Sequence, residues 1–393
     1  MINIRMKLIS ALMLLVFFGC MRPDDENLWS VAIENTIQTD GFTRDVYLQG
    51  DTAFIAAGQS GVQVWNLQSN SLLEQYESFG SADLEDVGRV YFDSLNSLLF
   101  IMDQSKIMFD EYDSTLFDAP TPIGDSHNED FIVLSETSGT FYIYYVDRDA
   151  GDGFLWGQYD FEEMPFIGEI WQRQDNDGQI RPSSPMKGLA RNGEYMAVAG
   201  DQMGVYLFTI DAMGSSPQFI SRIDTEGNAE NVLISNDGVF VSCDDAGAYF
   251  IPIESFNSGG IKYQFGENLT VDHIAVKNEI ASLSLGSKGI ALFDISDPSN
   301  PEEKGIFPVG YTYRTVFWKD KLLACTREGL QEIKIEKIAK RKAVKDTPIS
   351  DYKPSPAMAR YLAKTRKEEF VSEDDMKGMS VKSGHKRPTK SGA

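Results

Sequence analysis

Seven short segments of this chain repeat one design, and the period of that repeat restricts the fold more than any other feature. Six read as an apolar strand, a polar tip with glycine and a second apolar strand: Thr52–Leu67, Thr140–Tyr159, Tyr195–Ile210, Val239–Ile253, Ile280–Ile295 and Lys321–Ile335. Ser97–Tyr112 is a seventh, with Lys106 in the glycine place. The tip residues Gly61, Lys106, Gly153, Gly204, Gly247, Gly289 and Gly329 are spaced by 45, 47, 51, 43, 42 and 40 positions. Alternating strands at that period mean a β-propeller or a β-solenoid.

Each unit holds more than its central pair. A strand precedes it, as in Arg44–Gly50, Gly88–Asp93, Asn231–Asp237, Asp272–Asn278 and Tyr313–Asp320, and another follows, as in Leu72–Ser78, Gln218–Asp224 and Glu303–Gly310. Four antiparallel strands per unit make one propeller blade, and seven units close a ring. The last unit stops at Ile335 without its outer strand. Trp29–Leu48 parallels Glu302–Trp318, so Ser30–Ile37 is expected to supply that strand and remove an exposed sheet edge. The chain is therefore expected to be all-β, a seven-bladed propeller of four-stranded blades over 29–335.

Ala281–Phe307 resembles the LVIVD repeat, a propeller-forming repeat of bacterial secreted and surface proteins, and Ala53–Asn70 is similar to it. The resemblance is strongest in blades one, four and six. It implies a propeller at a cell surface and carries no catalytic residues with it, because that family has no single activity.

The first residues point the same way. Arg5 and Lys7 precede LISALMLLVFFG and Cys20, a basic flank and an apolar stretch too short to span a bilayer. Gly19-Cys20 resembles the end of a bacterial lipobox, with Phe17 where that pattern usually has Leu. This implies a signal peptide over 1–19, lipidation of Cys20 and a tether over 20–28. Acyl chains anchor a domain through many buried methylenes. Asp24-Asp25-Glu26 resembles the export signals of surface lipoproteins in Bacteroidota-like bacteria. The expected location is the bacterial envelope, at the outer membrane or cell surface.

Charge divides the chain. Residues 336–393 carry 15 Lys and Arg against 8 Asp and Glu, while residues 21–335 carry 19 against 51. A body this acidic does not suit nucleic acid, which needs clustered cations. The tail, rich in Lys, Ser and Pro, is expected to be disordered apart from a short helix over 356–370 that Ser355 would cap. Beyond Cys20, the remaining thiols, Cys243 and Cys325, fall inside strands and read as buried and free.

The tips share one face of the ring, and their acidic residues are Asp103, Asp147, Asp149, Asp152, Asp201, Asp244 and Asp245. The densest group, Asp147, Asp149 and Asp152, offers hard oxygen donors of the kind Ca²⁺ takes, although Asp and Gly also belong to ordinary turns. Asp175 and Asp177 lie in the longest interblade connection, near Trp156 and Trp171, which could stack on a ligand or fill the core. The histidines, His127, His273 and His385, form no metal pair, and no nucleophile elbow or phosphate loop appears. The expected function is a non-catalytic module that binds a protein or glycan. A propeller hydrolase using rim or channel carboxylates, and a structural subunit recruited through the basic tail, are the alternatives.

Overall fold

The computed structural model describes residues 29–337 apart from 80–81, 113–119, 125, 150, 167 and 183. The proposed signal peptide, Cys20 and its tether, and the tail from 338 with its expected helix lie outside the described residues.

Seven antiparallel blade sheets follow one another along the chain, each built from four sequential strands except at the closure and in blade three, which has a fifth. Ser78–Phe79 and Ala82–Asp83 form a separate two-stranded pair. Blade one is Asp45–Gln49, Thr52–Ala56, Val62–Asn66 and Ser71–Tyr76. The last blade takes Thr312–Trp318, Lys321–Thr326 and Gly329–Glu336 from the end of the ring and Ser30–Ile37 from its start. That strand runs antiparallel to Gly329–Glu336, with Ser30 opposite Glu336 and Ile37 opposite Leu330. Velcro-like closure of this kind leaves no unpaired inner edge between first and last blades.

The apolar core consists of seven layers, one at each junction between neighbouring blades. Phe54, Val64, Phe92 and Ile101 join blades one and two. Ile37, Ile55, Leu323 and Leu330 join seven and one. Alternation makes this geometry unavoidable. A strand of period two presents an apolar row to each side, and in a radial array both sides meet a neighbour. Central strands such as Leu98–Asp103 and Gly238–Ser242 are accordingly buried at every position.

Every junction also carries one backbone hydrogen bond of the same kind. Two residues before the register-equivalent start of each first strand, an N–H donates to a carbonyl in the preceding blade's tip. The pairs are Thr43 to Thr326, Val87 to Gly58, Asn128 to Ser105, Met186 to Asp147, Ala229 to Asp201, Val271 to Asp244 and Thr312 to Gly286, at 2.9 to 3.1 Å. The tips thus act as clasps from one blade to the next.

Two features depart from the regular plan. In blade three the third strand, Phe154–Met164, is long enough to pair with both Gly168–Arg173 and the short strand Gly178–Ile180. The long connection expected between blades three and four therefore returns to its own sheet. In blade two Lys106 pairs with Asp103, and Gln104 and Ser105 carry the positive φ angles of 47° and 65°. That is a two-residue hairpin turn, so the glycine of the other tips is not needed there. Cys243 and Cys325 are free and buried. Among the described residues the one helix is Ser255–Ser258, and none is long and apolar enough to cross a membrane.

Candidate functional site

The acidic tip residues turn out to be held mainly by their own turns. In blades one, four, five and six the tip closes by the same pair of backbone bonds, for example Cys243 N–H to Gly247 O and Gly247 N–H to Asp244 O. This turn needs a left-handed residue, which is Gly58 (φ 58°), Asp201 (49°), Asp244 (44°) or Gly286 (54°). Aspartate is among the few side chains that tolerate that region. The second tip glycine has a different reason. A Cβ on Gly61, Gly204 or Gly289 would come within 1.9 to 2.3 Å of a carbonyl oxygen at the end of the fourth strand.

Asp103 is buried, and its carboxylate accepts the N–H groups of Glu85 (3.1 Å) and Asp86 (2.6 Å). Asp147 accepts from Asp149 N–H at 2.6 Å, and Asp149 from Gly151 N–H at 2.8 Å. Asp152 accepts from the Gln179 amide at 3.0 Å, which ties the tip to the extra strand of blade three. Asp245 accepts from the Thr270 hydroxyl, and Asp177 pairs with Arg173 at 3.0 Å. Asp175 is exposed beside them. Among the described residues no three His, Cys, Asp or Glu side chains converge closely enough to hold a metal ion. Trp156 is 6% exposed in the layer between blades three and four, and Trp171 packs on Phe141 (5.2 Å) and Phe161 (5.3 Å).

The tip face carries a second cluster where blades seven and one meet. Phe42 and Arg44 lie in the loop entering blade one, Tyr311 and Tyr313 at the entry to blade seven, and Arg327 in the tip of blade seven. The Arg327 guanidinium lies 3.9 Å from the Tyr311 ring centre and 5.5 Å from that of Phe42, and its Nε donates to the Tyr313 hydroxyl at 3.1 Å. Arg44 stacks on Tyr313 at 4.5 Å and pairs with Asp86 at 3.3 Å. Phe42 remains 48% exposed. Cations over aromatic faces attract through the ring quadrupole, and the stack holds long side chains in one geometry.

Just inside this face, the first strands surround the central channel. One register position recurs in all seven blades, occupied by Asp45, Arg89, Asp130, Gly188, Asn231, His273 and Arg314. Acceptors in odd blades bond the backbone of the following blade. Asp45 accepts from Val90 N–H (3.4 Å), Asp130 from Leu189 N–H (3.1 Å) and Asn231 from Ile274 N–H (3.4 Å). Charges link the ring laterally: Arg89 pairs with Asp45 at 3.0 Å and closely with Asp130, and Arg314 reaches Asp45 at 3.5 Å. Burial works against both guanidinium charges. In Arg89 the two carboxylates outweigh it and the pKa rises; in Arg314 burial and the nearby Arg89 charge prevail and it falls. Burial and the Arg314 and Arg89 charges hold the His273 imidazole well below its usual pKa, and therefore neutral at pH 7. Around the mouth, burial raises the carboxyls of Glu129, Glu230 and Asp272, with neighbouring Asp244 adding to Asp272.

Fold and ring together define a seven-bladed β-propeller whose channel is bridged by ion pairs near one mouth. Solved structures of similar fold include the WD40 repeats of RRP9, at 13% identity and a TM-score of 0.56 over 78% of this chain and 97% of that one. Others are the Cps50 (Swd1) propeller domain of Myceliophteria thermophila (12%, 0.55, 77% and 99%) and a chain of the mitotic checkpoint complex (14%, 0.55, 80% and 94%). At such identities the likeness shows fold alone. No protein-family model matches the chain, and no curated protein matches it in sequence.

Of the channel ring, only His273 stands out in the sequence. Part of the ring's signal was present: Asp45, Gly188, Asn231 and His273 each lie 16 positions before the tip glycine of their blade, whereas Arg89, Asp130 and Arg314 fall out of that column by 1, 7 and 1 positions. The Phe42–Arg327 stack left no comparable trace, because its members come from both ends of the ring.

Proposed function

We propose that this chain is a lipid-anchored envelope protein whose propeller binds a protein partner with its tip face. The observation that carries this reading is the Phe42–Arg327–Tyr311 stack. Tyr and Arg dominate the energetics of protein interfaces, and a stacked guanidinium loses little freedom on binding. Phe42, 48% exposed, offers an apolar contact in that stack. Similar propellers include a chain of the mitotic checkpoint complex.

The anchor rests on the basic flank, apolar stretch and Gly19-Cys20, and the cell-surface assignment on the LVIVD-like repeats. Two experiments test the reading. Metabolic labelling with an alkyne fatty acid should mark the natural protein and not Cys20→Ser. Cross-linking capture from intact cells should recover one defined partner with the full chain and with a chain ending at Lys337, and lose it in Phe42→Ala/Arg327→Ala. Loss on truncation alone would make the tail the connector and overturn the face assignment.

A further inference from the structure

The ring in the channel is unevenly satisfied. On the side of blades one to three, Arg89 has two carboxylate partners, and both Asp45 and Asp130 also cap backbone N–H groups. On the side of blades six and seven, Arg314 has five N–H donors and, among the described residues, one acceptor at the long distance of 3.5 Å. Asp45, that acceptor, lies nearer to Arg89. The His273 side chain beside it makes no hydrogen bond among the described residues, and its buried Nδ1 has no partner. The Arg314 side chain is 23% exposed, so its free donors stay accessible, and the Nδ1 of His273 is buried without a partner; an acceptor from outside the chain would meet unused hydrogen-bonding capacity here.

Asp45, Arg89, His273 and Arg314 border a cavity of about 180 Å³. Val46, Tyr47, Tyr91, Phe131 and Val316 are among the other residues that line it. A cavity of roughly 150 Å³ admits a benzene ring. A planar carboxylate matches the fork of a guanidinium through two parallel hydrogen bonds, which a point cation would not reward in the same way. Two Asp balance two Arg in the ring, so a monoanion disturbs its charge less than a phosphate dianion would.

We propose that the propeller channel is a binding site for a small organic monocarboxylate. Its carboxylate bridges Arg314 and His273, and its aromatic or apolar body lies against Tyr47, Tyr91 and Phe131. The site is separate from the tip-face stack and does not depend on the partner-binding reading.

Titration calorimetry with benzoate and with neutral benzamide tests this on the soluble protein from Met21 onwards, tail included. The expected result is saturable benzoate binding, no binding of benzamide, and at least tenfold weaker benzoate binding in Arg314→Gln. Arg222→Gln, a surface arginine that donates to Met203 O, should bind as the natural protein does. If Arg314→Gln does not fold, His273→Gln should show the same weakening, and benzoate should shift the His273 imidazole ¹⁵N resonances of the unaltered protein. Absence of benzoate binding, or binding by Arg314→Gln and His273→Gln as tight as by the natural protein, would overturn the proposal. Partner capture that persists in Arg314→Gln would confirm that the two sites are independent.

Discussion

Asn35 and Glu332, 297 positions apart, meet in the last blade, where the Asn35 amide donates to the Glu332 carboxylate at 3.1 Å. Lys321 binds the same carboxylate at 2.7 Å and Glu34 at 3.1 Å. The strand that arrives first in the chain is therefore held by side chains as well as by its backbone ladder to Gly329–Glu336.

Closure should be sensitive to a single buried side chain on that strand. Ile37 is 1% exposed, in the layer with Ile55 and Leu330. Ile37→Ala is expected to cost about 2–5 kcal/mol, read from urea unfolding. A loss under ~1 kcal/mol would show that the strand contributes little to the ring.

The two kinds of tip residue should respond in opposite ways. Gly289→Ala places a Cβ 2.2 Å from Phe307 O at a φ of 85° and should destabilise by more than about 1 kcal/mol. Asp244→Gly suits the left-handed position and removes a charge beside Asp272 and Glu230, so stability should hold or rise. Equal losses from both changes, by thermal unfolding, would refute the turn assignment of Asp244.

Breaking the ion chain should be expensive. Asp130→Ala leaves Arg89 with one carboxylate and Leu189 N–H without its acceptor, at an expected cost of about 3–5 kcal/mol. Denaturant midpoints measure it, with Asp177→Ala as an exposed control expected within ~1 kcal/mol.

His273 sets a pH dependence of definite sign. Its folded pKa lies below the unfolded value near 6.5, so the unfolded chain takes up the proton first. Its contribution is complete above about pH 6.5 and declines as pH falls, by up to about 1.4 kcal/mol per pH unit. The raised carboxyls of Glu129, Glu230 and Asp272 act oppositely, adding stability that is present at low pH and lost as pH rises through their folded values. Comparing unfolding free energies of the natural protein and His273→Gln from pH 7 to 5 cancels those carboxyls. The difference should move against the natural protein as pH falls, and a constant difference would contradict a buried neutral imidazole.

The blades were legible because strand, tip and strand recur often enough for one period to emerge. The closing strand followed from the missing fourth strand of the last unit. Burial within a blade was less visible: Trp156 sits in the layer between blades although its neighbours in sequence suggest a rim. Gly178–Ile180 is too short to announce a strand and forms one because Phe154–Met164 leaves its first residues open to pairing. Asp201 and Asp244 read as rim residues in the sequence, and only their φ of 49° and 44° shows that each also serves its turn. The channel ring draws on seven positions in seven blades, so its chemistry exists only once register and closure are fixed.

The account rests most on the tip face as the partner-binding surface. A photo-crosslinking amino acid placed at Phe42 should yield one defined adduct in intact cells. The same group at Leu95, exposed in the loop between the first two strands of blade two and so on the opposite face, should yield none. An adduct from Leu95 with none from Phe42 would contradict the account and move the interface to the other side of the ring.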